Sequence, residues 1–174
     1  MRMVILFALS IIVCGCGERH RLEELAHGLE EAWQPAPREF KLEMHAEYDG
    51  ERVLVQTVLK NVSGKAVQVD AATLPWVNSD FFSVTAVNAD GKVVARTKDP
   101  TQFNVSRISP IPAPMVIQSG ASIDGRPFDL DEVRITKLPD NKDLLILWSY
   151  RQLKDWASND SYPLSGITLL KARQ

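Results

Sequence analysis

The sequence predicts an all-β fold, an antiparallel sandwich of roughly 7–9 short strands preceded by one helix. Three observations carry this. From Phe40 onward, apolar residues recur at every second position, the period of a strand with one buried face. Turn signals punctuate the chain at short intervals, among them Asp49-Gly50, Asn61-Val62-Ser63-Gly64-Lys65 and Asn88-Ala89-Asp90-Gly91. Helical spacing of comparable strength is confined to one stretch, Leu22 to Trp33.

The first element is a leader. Arg2 supplies a positive start, Val4 to Val13 is an apolar run interrupted only by Ser10, and small Gly15 precedes Cys16. The run is too short to cross a bilayer core as a helix, which takes about 20 residues. Val13-Cys14-Gly15-Cys16 resembles the lipobox of bacterial lipoproteins: Val13 and Gly15 fit the positions before its invariant cysteine, Cys16 fits that cysteine, and Cys14 is unusual. The resemblance implies cleavage before Cys16, lipidation of Cys16, and attachment to a membrane from outside the cytoplasm. Gly17 stands where aspartate would favour the inner membrane, which implies an outer-membrane location if the source is Gram-negative.

Three regions follow: residues 1–15 as signal peptide, 16–37 as lipidated N-terminus and helical tether, and 38–174 as the sandwich. In the tether, Leu22, Leu25, Ala26, Leu29 and Trp33 recur at helical spacing, with Glu23, Glu24, Glu30 and Glu31 on the other positions. Gln34-Pro35-Ala36-Pro37 stops this helix of about three turns, because proline lacks an amide proton and restricts its predecessor. Such a helix either docks on the domain or frays as a spacer, and a partner-binding helix is the sharper alternative.

Strands then follow in order. Phe40, Leu42, Met44, Ala46 and Tyr48 alternate with Lys41, Glu43, His45 and Glu47 up to the Asp49-Gly50 turn. Val53, Val55 and Leu59 mark a second strand, and Val67 and Val69 a third, so the three form a meander. Phe82, Val84 and Ala86 lead through Asn88–Gly91 to a return strand at Val93–Ala95. A proline-bearing connection, Asp99 to Pro114, crosses between sheets. Met115–Gln118, Ile123–Leu130, Leu144–Tyr150 and Ile167–Leu170 complete the set. Leu144–Tyr150 is apolar at both alternating sets of positions, as a central strand is, and places Trp148 in the core.

Leu59-Lys60-Asn61-Val62-Ser63, Thr73-Leu74-Pro75-Trp76 and Gln118-Ser119-Gly120-Ala121-Ser122 leading to Phe128-Asp129-Leu130 are similar to the immunoglobulin-like sandwich domains that accompany deuterolysin-type metallopeptidases. Related sandwiches occur in small bacterial proteinase inhibitors. The resemblance covers roughly Phe40 to Tyr150 and implies an immunoglobulin-like β-sandwich.

Composition excludes several functions. The formal charge is −2, and no Lys/Arg run suggests a nucleic-acid surface. Cys14 leaves with the leader and Cys16 takes the lipid, so the domain keeps no thiol for a disulfide and depends on packing. His20 and His27 lie in the tether and His45 on a polar strand face; His-Glu-x-x-His is absent, so peptidase activity does not carry over. Gly120-Ala121-Ser122-Ile123-Asp124 lacks the closing glycine of a nucleophile elbow and reads as a turn. No cofactor pattern or glycine-rich phosphate loop is present. Asp129, Asp131 and Glu132 could share a calcium ion but depart from the order of a calcium loop. Asn61-Val62-Ser63 and Asn104-Val105-Ser106 match a glycosylation sequon, although Asn61 reads better as a turn residue.

Recognition is expected at the loop before the last strand, where Trp156 and Tyr162, with Asn159 and Asp160, could stack on a sugar or anchor a protein. The expectation is a non-enzymatic envelope lipoprotein whose sandwich binds a protein or glycan or holds a place in an assembly. A surface-tethered protease inhibitor presenting Asp99–Pro114 is the alternative, and a hydrolase with a carboxylate-only site is a third.

Overall fold

The computed structural model describes residues 3–32, 39–77, 82–97, 114–133, 135–153 and 161–173. Helix α1 (Met3–Ala32) is followed by β1 (Phe40–Asp49), β2 (Arg52–Asn61), β3 (Val67–Val69), β4 (Phe82–Val87) and β5 (Val93–Arg96). Then come β6 (Met115–Ile117), β7 (Ser122–Asp124), β8 (Phe128–Asp129), β9 (Leu144–Leu153) and β10 (Ser161–Leu170). One sheet has the order β1-β2-β7 with β8 also paired to β2; the other has the order β10-β9-β4-β5; β3 and β6 form a small ladder of their own. Every pairing is antiparallel. The protein is an antiparallel β-sandwich.

Alternation builds the core directly. Phe40, Leu42 and Met44 of β1 and Val53, Val55 and Leu59 of β2 face Phe82, Val84 and Ala86 of β4 and Leu144, Ile146, Trp148 and Tyr150 of β9, all buried. Phe82 lies at its centre, with ring centroids 5.8 Å from Phe128, 6.3 Å from Trp148 and 5.5 Å from Tyr150. These separations suit tilted and edge-on aromatic contacts, and Phe128 brings the first sheet into the cluster.

Ten strand segments stand among the described residues, against the 7–9 expected. Ile123–Leu130 is the cause: it forms two short strands on β2, interrupted at Gly125-Arg126-Pro127, and ends in a 3-10 helix at Leu130–Val133. Pro127 has no amide proton for the ladder, while Gly125 still donates to Thr57 O at 2.8 Å. A Cβ on Gly125 would lie 2.4 Å from the Trp76 ring, so glycine opens the slot for that indole.

The expected meander also fails at its third member. β2 spends its second edge on β7 and β8, and β3 pairs with β6 instead. Asn61 makes this change of direction possible. It is fully buried, its Nδ2 donates to Lys65 O and Ile117 O, both at 2.8 Å, and its Oδ1 accepts from the Ser63 amide at 2.9 Å. Asn61 is therefore an internal turn clamp, with its amide nitrogen occupied.

Helix α1 differs most from expectation. It is one helix of 30 residues reaching back to Met3, rather than three turns behind the anchor, because no proline interrupts the chain before Pro35. It docks on the outer face of the second sheet, where Leu22 is fully buried with Val87 and Leu145 and packs beside Ala26, Ala89, Leu147, Ile167 and Leu169. Full burial of one leucine contributes about 1.5–3 kcal/mol. Among the described residues no helix is long and apolar enough to cross a membrane.

Trp148 takes its expected place in the core, 4% exposed. Its indole lies over Gly166 of the neighbouring strand, where a Cβ would meet the ring at 2.4 Å. Trp148→Ala should cost about 3–5 kcal/mol through lost burial and the cavity left behind. Gly166→Ala should cost about 1–3 kcal/mol by overpacking, and much less in a Trp148→Leu background. Denaturant midpoints of the parent, the three single variants and the Trp148→Leu/Gly166→Ala double variant check this; additive costs in the double variant would contradict the slot.

Candidate functional site

Two features of the fold stand out: the seam that holds α1 and a groove between the edge strands. At the seam, Arg19 Nε donates to Asp143 Oδ2 at 2.8 Å and Arg19 Nη2 to Asp143 Oδ1 at 3.1 Å, a two-pronged ion pair. The Ala172 amide donates to the same Oδ1 at 2.6 Å. Asp143 thus joins the helix, the start of β9 and the chain's last residues. Burial raises its carboxyl pKa, but the hydrogen bonds from Arg19 and Ala172 and the charges of Arg19 and Lys171 outweigh this, leaving it below the usual range.

Other bonds close the same end of the sandwich. The Tyr48 hydroxyl donates to Lys142 O at 2.8 Å and accepts from the Lys142 amide at 3.0 Å. Burial raises the pKa of that hydroxyl, with Asp143 and Asp140 adding to the shift and the Lys142 bond opposing it. Asn141, at φ 45°, accepts from the Arg173 amide at 2.7 Å, and the Arg173 guanidinium donates to Gly50 O. Arg21 adds a looser pair with Asp90, at 3.7 Å. Cys16 lies on α1, one helical turn before Arg19.

The groove runs between β1 and β10, the facing edges of the two sheets, and has a volume of about 580 Å³. Apolar groups from Phe40, Leu42, Met44, Val62, Trp148 and Leu164 line it, with Glu30, Lys41, Glu43 and His45 at its margin. Thr168 bridges the two edges: its buried Oγ1 accepts from Trp148 Nε1 at 3.2 Å and donates to Met44 O at 2.7 Å. Lys41 sits 2.8 Å from Glu43, and its hydrogen bond and charge hold that carboxyl below its usual range. The arrangement offers apolar contact beside a strand edge.

The sequence-derived site residues divide. Cys16 lies in α1, within a turn of the docking seam. Trp156, Asn159 and Asp160 fall outside the described residues, as does most of Asp99–Pro114. Tyr162 stands in β10 opposite Gln152 rather than in a loop, because β9 extends to Leu153 and β10 begins at Ser161. Asp129 Oδ1 accepts from the Asp131 amide at 3.0 Å and Asp129 Oδ2 lies 3.7 Å from Arg52 Nε, so this carboxylate caps a turn and pairs with a cation. Among the described residues no group of three His, Cys, Asp or Glu side chains stands close enough to hold a metal. His45 is exposed. Gly120, at φ 75°, forms the turn that precedes β7.

Arg19 and Asp143 escaped sequence reasoning because they are 124 residues apart and neither belongs to a local pattern. The usable signal was the apolar outer face of β9, which called for a cover. Comparison with protein-family models and with curated proteins finds no match.

The Asp143 shift has a defined sign. A carboxyl with a lowered folded-state pKa contributes stability above its unfolded value, about 3.9, and loses it as pH falls through the folded value. The stability gap between the parent and Asp143→Asn should therefore be constant at neutral pH and close only below the ordinary aspartate range. Urea titrations at several pH values check this; a gap that closes near pH 7 would contradict the assignment.

Proposed function

We propose that this chain is a lipid-anchored lipoprotein of the bacterial envelope, with a non-catalytic sandwich that binds an envelope protein or glycan or holds a position in an assembly. The signal-like leader and Val13-Cys14-Gly15-Cys16 support the anchor. One structural observation carries the reading further: α1 is fastened to the sandwich by Arg19 and Leu22, which lie behind the expected cleavage point and stay in the processed chain. The processed chain keeps these contacts and carries its lipid beside them. Gly17 after the acylated cysteine favours the outer membrane in a Gram-negative source. The apolar groove supports binding as the role of the domain.

The anchor itself follows simple energetics. Each buried methylene contributes about 0.8 kcal/mol, so one chain holds marginally and two or three hold in effect permanently. Expressed in a bacterium fed labelled palmitate, the parent should carry label and enter the detergent phase. Cys16→Ser should carry none and remain uncleaved or soluble. Equal labelling and partitioning of the two proteins would refute the anchor.

A further inference from the structure

We infer that the sandwich is held end-on at the lipid surface, with the end built from the Asp49-Gly50 turn, Asn88–Gly91 and Pro139–Asp143 facing the headgroups. The inference rests on the lipid at Cys16. What it adds is the orientation of the domain and which half of it is turned away from the lipid.

Arg19 binds Asp143 at the head of β9, Arg21 pairs with Asp90 in the β4–β5 turn, and Glu30 reaches the groove beside Gly166, halfway along β10. The helix thus crosses the outer face of β9 and β10, with Arg19 at the 139–143 end of the sandwich and Glu30 farther along β10. Cys16 precedes Arg19 by three residues. Fully extended, three residues span roughly 10 Å, and as helix about 4.5 Å.

That leash is short beside the domain. β9 and β10 each have ten residues, so the two ends of the sandwich are about 33 Å apart. Were residues 16–37 a free coil, the lipid would be joined to Phe40 by a tether of roughly 25 Å mean reach, and either end could meet the membrane. Docking of α1 removes that freedom. The near end carries both signs of charge, Lys142, Lys171 and Arg173 with Asp49, Glu51 and Asp140, all exposed, so the leash rather than a net charge sets the approach. Among the described residues the far end carries the Asn61–Lys65 and Gln118–Ala121 turns. Because β1 runs from Asn61's partner Phe40 towards Tyr48, the groove along Phe40–His45 lies in the half turned away from the lipid.

The test uses the mature lipidated protein in phosphatidylcholine vesicles containing a lipid with a nitroxide on its headgroup, a short-range quencher. A fluorophore is attached at Lys142→Cys for the near end or Gly64→Cys for the far end. Palmitate labelling and detergent partitioning are measured on the same samples. The expected result is quenching several-fold stronger at the near end. A forty-residue Gly/Ser insertion between Gly17 and Glu18, ahead of Arg19 and with a mean reach of roughly 35 Å, about the length of the domain, should abolish the difference while leaving lipidation and fold intact. Equal quenching at both ends of a lipidated protein, or a difference that survives the insertion, would overturn the orientation alone. Absence of palmitate and of partitioning would overturn the lipoprotein reading beneath it.

Discussion

The structure depends on a strand that is apolar on both faces. Leu144, Ile146, Trp148 and Tyr150 of β9 point into the sandwich, and Leu145 and Leu147 point out of it. A sheet with an apolar outer face loses stability unless something covers that face, since each exposed leucine forgoes about 1.5–3 kcal/mol of burial. The first sheet covers one side and α1 the other, with Leu22 fully buried against Leu145 and Val87. Asp143, immediately before β9, fixes the position of that helix through Arg19. The segment that leads away from Cys16 is thus part of the fold rather than a leash.

The inner face imposes constraints of its own. Trp148 is too large for a strand pair with a side chain opposite it, and Gly166 provides the space. Its buried N–H needs an acceptor, which Thr168 Oγ1 supplies while the same hydroxyl donates to Met44 O across the gap between the sheets. Trp76 and Gly125 repeat the pairing of indole and glycine at the break between β7 and β8. At the far end Asn61 satisfies carbonyls from two turns at once, so both connections leave the sheet in fixed directions. Packing and buried hydrogen bonds give the domain a unique arrangement without a disulfide.

Period-two alternation made nearly all of the strands legible in the sequence, because each has one buried face and residues such as Phe40, Leu42 and Met44 announce it locally. Pairing was less legible. β3 leaves β2 for β6 through contacts of Asn61 that span 56 residues, and no local pattern records such a partner. The extent of α1 was understated because apolar residues of a leader and an amphipathic tether have different periods, although one helix holds both. Ser161, Pro163 and Gly166 are poor strand formers, so period-two reading does not extend the last strand back to Tyr162. β10 is an edge strand, where proline and glycine are tolerated, so the ladder with β9 continues through them. Of the site, the Cys16 motif was readable because a leader is a contiguous pattern; the groove and the Arg19–Asp143 pair exist only after folding.

The helix behind Cys16 is a packed element of the domain. Most of a helix's stability in a protein comes from tertiary packing of its apolar face, so docking should be visible in its amides. Native-state hydrogen exchange on the chain beginning at Cys16 measures this directly. The account predicts that amides from Leu22 to Gly28 are protected and open together with the outer face of β9 and β10. Exchange of those amides at the rate of a free peptide, beside a fully protected β9, would contradict it.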